Sequence, residues 1–171
     1  YVYPEISEIR YSTVDMHINI YSSACYPDTL AHAVEDAKIA QSVLNGIDPS
    51  RFSPDSRFGA GFYLGDDENS LIMELLYHKK EAHYAINYSV NLEGQHVLDL
   101  TDPAVAARWG FRAGISELEE CQIIANTART NGYNVIIAPS YRGPSNNYII
   151  YSGFDEILKP TSVVYINYKG E

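Results

Sequence analysis

RFSPDSRFGAGFYLGDDENSLIMELLYH, residues 51–78, decides how this chain is read. Arg51 and Arg57 flank a turn containing Pro54. Gly59 and Gly61 then lead into Phe62-Tyr63-Leu64, an aromatic run that fits a short, half-buried strand. Asp66 or Asp67 follows as the cap of a helix predicted to reach about Lys80, with Leu71, Leu75 and Leu76 on one face and Glu74 beside them. Arginines, glycines that admit close backbone approach, an aromatic strand and an acid near an apolar face are the parts of a pocket for an anionic, aromatic ligand.

A second stretch, NVIIAPSYRGPSNNYIIY at 134–151, reads as strand, turn, strand and delivers Ser140 and Asn147 to the turn. Elsewhere, His17–Tyr21 alternates as a strand, and Asp28 is placed to cap a helix running to about Leu44, stopped by Asn45-Gly46. Tyr84–Leu92, His96–Leu100 and Ser162–Asn167 read as further strands. Asp102-Pro103 opens a short helix. Ser116 with Glu119 is expected to form a capping box for a helix to about Thr130. Strands and helices do not alternate in a clean βαβ rhythm. The expected fold is therefore α+β, with a split, largely antiparallel mixed sheet and flanking helices. One domain over 1–171 is expected, as the C-terminal tip of a larger protein.

The chain has 171 residues, 46% of them hydrophobic, enough for a full core. No apolar run approaches the ~20 residues needed to span a bilayer, and there is no basic-then-apolar leader. A net charge of −10 disfavours polyanion binding. It leaves room for a local basic cleft built from Arg51, Arg57 and Arg142. Cys25 and Cys121 form neither a disulfide framework nor a zinc pattern, and the five histidines lack metal spacing, so no metal is expected. Most of the 15 tyrosines suit sheet packing.

A site that cleaves NAD at the nicotinamide bond needs cations or N–H groups for the diphosphate, an aromatic wall for the nicotinamide, and a polar or anionic group near the ribose as positive charge develops. Arg51 and Arg57 meet the first need, against the plain reading of solvated surface arginines. Gly61 and Tyr63 meet the second; Tyr63 could equally be a sheet tyrosine. Glu74 meets the third, or is a boundary glutamate in a salt bridge. Ser140 presents a hydroxyl, or is a turn serine; no GxSxG elbow surrounds it, so acyl-enzyme chemistry is unsupported. Asn147 can hold a ribose or amide, or start its strand.

The ordered set Arg51-Phe52-Ser53-Pro54, Phe62-Tyr63-Leu64, Glu74 within SLIMELLYH, Val97-Leu98-Asp99-Leu100-Thr101, Asn131-Gly132-Tyr133, Pro139-Ser140 and Asn147-Tyr148 resembles the RES domain family over roughly residues 47–160. Those proteins are NAD-consuming toxins named for an arginine, a glutamate and a serine, and they share a fold with ADP-ribosyltransferases. The resemblance implies NAD as substrate, Arg51, Glu74 and Ser140 in the three named roles, and Tyr63, with Arg57, Gly61 and Asn147, lining the pocket. Asn45-Gly46-Ile47 and Phe58-Gly59-Ala60-Gly61-Phe62-Tyr63 also look like the wider ADP-ribosyltransferase group. The diphtheria-like branch carries a His-Gly pair on its first strand, where this chain has Tyr21-Ser22-Ser23. That branch also has a glutamate at the strand that here begins Asn147-Tyr148. Both departures favour the Arg/Glu/Ser arrangement.

The N-terminal extension and tyrosine content further resemble tips of bacterial polymorphic toxins. That implies a secreted or injected domain acting in a target-cell cytoplasm. It also implies ADP-ribose transfer to a macromolecule, a protein in class, and a cognate immunity or antitoxin partner. An NAD glycohydrolase and a degenerate NAD-binding module without catalysis stand as the alternatives.

Overall fold

The computed structural model describes residues 27–66, 83–141 and 145–165. Seven strands, β1 (Thr29–Val34), β2 (Phe62–Gly65), β3 (Tyr84–Val90), β4 (Val97–Asp99), β5 (Val135–Pro139), β6 (Asn146–Ile150) and β7 (Leu158–Tyr165), form one sheet in the order β4-β5-β6-β2-β1-β3-β7. Among the described residues four helices accompany it: α1 (Ala37–Asn45), α2 (Pro103–Trp109), α3 (Leu118–Thr130) and the single turn α4 (Phe154–Ile157). The expected α+β class holds. Every strand pair is antiparallel except β4 with β5, whose link runs through α2 and α3, as a parallel connection requires.

The sheet is two halves joined at a narrow seam. β1 pairs with β3 over six residues but meets β2 at one register pair, Ala31 with Gly65. Extending that row, Gly65 pairs with Asn147 and Asn147 with Ala138. Alternation along each strand builds a core on both faces. Leu30, Phe62, Leu64, Ile86, Val135, Ile137, Tyr148 and Ile150 pack on one side with Ala40 of α1. Leu98, Ile136, Ala138, Ile149 and Tyr151 pack on the other with Cys121, Ile124, Ala125 and Ala128 of α3.

Three local expectations change. The helix expected from Asp28 is a strand followed by a helix. Leu30 and Ala31, fully buried on opposite faces, make β1 a mid-sheet strand, and this pairing overrides a helix-compatible apolar spacing. Asp36 then caps α1, its carboxylate accepting from the Ile39 amide at 2.9 Å. For α3 the capping box uses Glu117 and Glu120, not Ser116 and Glu119: the Ser116 hydroxyl already accepts from the Arg112 amide at 2.8 Å. Finally, α4 and the first residues of β7 were not anticipated; Gly153, at φ 78°, admits the tight entry to α4. Asp102 caps α2 as expected, accepting from Ala104 at 2.9 Å. The His17–Tyr21 strand, the helix expected over 67–80 and Cys25 lie outside the described residues.

Gly61 is close-packed. A Cβ there would lie 2.5 Å from Ile149 Cγ2 and 3.0 Å from Tyr151 Cε1, and Ile149 is fully buried with no room to retreat. Gly61→Ala is expected to destabilise the protein by about 1–3 kcal/mol through overpacking. A denaturant midpoint unchanged from wild type would contradict this packing.

Candidate functional site

The loop between α1 and β2 is fastened at several points. Phe58 and Gly59 are held by two tyrosine hydroxyls. Tyr63 Oη accepts from the Phe58 amide at 2.9 Å and donates to the Gly59 carbonyl at 2.8 Å. Tyr151 Oη donates to the Phe58 carbonyl at 2.7 Å. From α3, the Gln122 side-chain amide donates to the carbonyls of Pro54 and Ser56 at 3.2 and 3.1 Å. Gly59, at φ 72°, supplies the left-handed backbone the turn requires.

The two arginines have different surroundings. Arg51 ends a 3-10 turn at Pro49–Arg51 with its side chain 74% exposed, 3.8 Å from Asp48, a surface pair worth little by itself. The adjacent Phe52 turns to the α1 face of the sheet, against Phe62 and Phe154. Arg57 instead lies 3.6 Å above the ring of Tyr141, a cation–π geometry worth about 1–2 kcal/mol when partly desolvated. It also donates to the Ser116 carbonyl at 3.4 Å. Tyr141 Oη donates to the same carbonyl, in a short hydrogen bond. Arg57 is thus the arginine brought to the turn that follows β5.

Ser140 opens that turn, half-buried, its amide donating to the Ser145 carbonyl at 2.9 Å. Ser145 Oγ is buried with no hydrogen-bond partner among the described residues. Leaving a hydroxyl so placed costs about 1–3 kcal/mol. Asn147, half-buried, sits between Gly65 and Ala138. The Asp66 carboxylate accepts from the Asn146 amide at 2.9 Å, which ties the end of β2 to the start of β6. Glu74 and Arg142 themselves lie outside the described residues. Tyr63, expected as an aromatic wall, is half-buried against the α3-side core. Gly61 makes its close approach to β6.

Three further groups were given no site role by the sequence. Tyr141 stands next to Ser140 and could have been suspected as an aromatic in a turn. Cys121 is a buried thiol beneath the cluster, its Sγ 3.9 Å from the Ser116 carbonyl. Burial pushes its pKa up, against the opposing pull of the Arg57 guanidinium. His32 stacks on Phe62 at 4.1 Å, and its Nδ1 lies 2.6 Å from the Tyr63 carbonyl. A carbonyl only accepts, so Nδ1 carries the proton and Nε2 is left as an acceptor. No local sequence signal marks it.

A cavity of 320 Å³ opens elsewhere, at Ile47 and Gly153–Glu156, where Asp155 and Glu156 make a rim ill-suited to a diphosphate. Among the described residues no cluster of three metal-ligating side chains occurs, and no helix is long and apolar enough to cross a membrane.

A family model described as the RES domain matches residues 31–164. Among solved structures, the M. tuberculosis MbcT-MbcA toxin-antitoxin complex contains a chain of similar fold. Its TM-score is 0.57 at 14% identity, covering 82% of this chain and 84% of that one. No curated protein matches.

Burial lowers the pKa of His32 from 6.5, against a smaller upward push from its bond to the Tyr63 carbonyl. The folded state therefore binds a proton less readily than the unfolded chain. The stability His32 permits is full above the unfolded value and declines as pH falls below it. His32→Gln should flatten the fall in melting temperature between about pH 7 and pH 5.5. An identical slope in thermal melts of both proteins would contradict this placement.

Proposed function

The chain belongs to the RES domain family, and from that premise we propose that it is a toxin domain that cleaves NAD at the nicotinamide–ribose bond and passes ADP-ribose to a macromolecular acceptor. RES-domain toxins are NAD-consuming enzymes. The observation that carries the reading is the family match across 31–164, which includes both the arginine loop and the Ser140 turn. Contact between Arg57 and Tyr141 supports it, because these two stretches meet in space.

In this reading the exposed Arg51 guanidinium takes the diphosphate, where its planar fork suits phosphate oxygens. Tyr63 and the Phe58–Gly61 backbone bound the nicotinamide side. Ser140 and Asn147 hold ribose or amide groups, and a ligand hydroxyl reaching Ser145 would offset the cost of its unpaired oxygen. Glu74 steadies the positive charge that builds on the ribose as the C1′–N bond breaks. The bonding electrons leave with neutral nicotinamide. A nucleophile on the acceptor then attacks C1′ and loses its proton. Water as nucleophile gives the glycohydrolase alternative. Delivery into a target-cell cytoplasm and a cognate antitoxin belong to the same proposal; the toxin-antitoxin complex of the fold neighbour supports the latter.

Purified domain should release nicotinamide from NAD, and release should accelerate when cell lysate supplies an acceptor. Glu74→Gln and Arg51→Ala should each lower turnover by about 100-fold, the scale for losing one transition-state contact. Fast release without lysate would assign hydrolysis instead. Full turnover in both variants would refute the site.

A further inference from the structure

Arg57 and Tyr141 belong to different loops, one before β2 and one after β5, 84 residues apart in sequence by their numbering (141 − 57). The Arg57 guanidinium carbon lies 3.6 Å above the centre of the Tyr141 ring, and both residues donate to one backbone oxygen, that of Ser116. Ser116 is itself immobilised. Its hydroxyl accepts from the Arg112 amide at 2.8 Å, its amide donates to the Arg112 carbonyl at 2.8 Å, and it is 1% exposed. The next residue, Glu117, caps α3. The acceptor is therefore fixed to the helix that covers the β4-β5-β6 half of the sheet, and two loops are pinned to it.

This arrangement differs from a surface cation awaiting an anion. One face of the guanidinium is covered by the ring, and one of its N–H groups is committed to a carbonyl. Tyr141 directly follows Ser140, so whatever fixes the phenol fixes the serine's backbone to within one residue. We propose that Tyr141 is a positioning residue that, with Arg57, clamps the Ser140 turn to the arginine loop through the Ser116 carbonyl, so that the two sides of the NAD pocket are set at one spacing. The clamp rests on the function proposed above for its consequence, and on contacts alone for its existence.

Two measurements on the intact chain test it. The first is a double-mutant cycle of Arg57→Ala and Tyr141→Leu, read as KM and kcat for NAD. Each single variant should raise KM about ten-fold with a smaller change in kcat. The double variant should be no worse than the poorer single, since either change breaks the same link between the two loops. Tyr141→Phe, which keeps the ring beside the guanidinium but loses the hydroxyl bond to the Ser116 carbonyl, should recover only part of the loss. Effects that multiply, or a Tyr141→Phe indistinguishable from wild type, would overturn the clamp.

The second is amide hydrogen exchange of Ser140 in Arg57→Ala. Exchange should speed by about ten-fold while the core amide of Ile149 is unaffected, as expected when one local unit loosens. An unchanged Ser140 amide would overturn the clamp whatever the chain does to NAD. Absence of nicotinamide release by wild type would instead refute the proposed function, leaving the exchange result to decide the clamp.

Discussion

Everything around the candidate site depends on how the Phe58–Gly59 peptide is held. β2 has only four residues, and the loop that feeds it would swing freely if strand pairing were its only restraint. Two buried-side tyrosines prevent that, Tyr63 from β2 itself and Tyr151 from the end of β6, together occupying the amide and carbonyl of Phe58 and the carbonyl of Gly59. Burial raises the Tyr151 pKa far above its ordinary value, so its hydroxyl stays protonated and able to donate. With this peptide fixed, Gly61 can nest against Ile149, β2 can pair with β6, and Arg57 is carried to the Ser140 turn.

The seam between β1 and β2 has a complementary part. A single register pair between two small residues, Ala31 and Gly65, joins halves that are otherwise built from longer pairings. Gly65 and Asn147 at that row lie at the end of β2 and the start of β6, beside the Ser140 turn. The polar groups gather where the sheet is least continuous, at the ends of β2, β5 and β6. His32, one residue from the seam, has its pKa lowered there because burial outweighs its hydrogen bond.

What could be read from the sequence was the part written in local pattern. The alternation of Tyr84–Val90, the apolar run Val135–Ala138, the Asp102-Pro103 cap and the glycine-led β2 each state their structure within a few residues. The ordered Arg, Tyr, Ser and Asn motifs were likewise legible as a resemblance. What escaped depends on partners distant in sequence. Thr29–Val34 has a helix-compatible spacing and becomes a strand only because β3 lies beside it. Ser116 satisfies a capping rule, yet its hydroxyl is taken by Arg112. Arg51 and Arg57 are indistinguishable as letters; the Tyr141 ring separates them.

Mapping NAD onto the backbone amides by NMR titration tests the account most directly. Binding between the arginine loop and the Ser140 turn predicts the largest shifts at Arg51, Arg57–Tyr63, Ser140, Tyr141 and Asn147, with Ile47 and Phe154–Glu156 silent. Shifts centred on Ile47 and Phe154–Glu156, or none at saturating NAD, would contradict it.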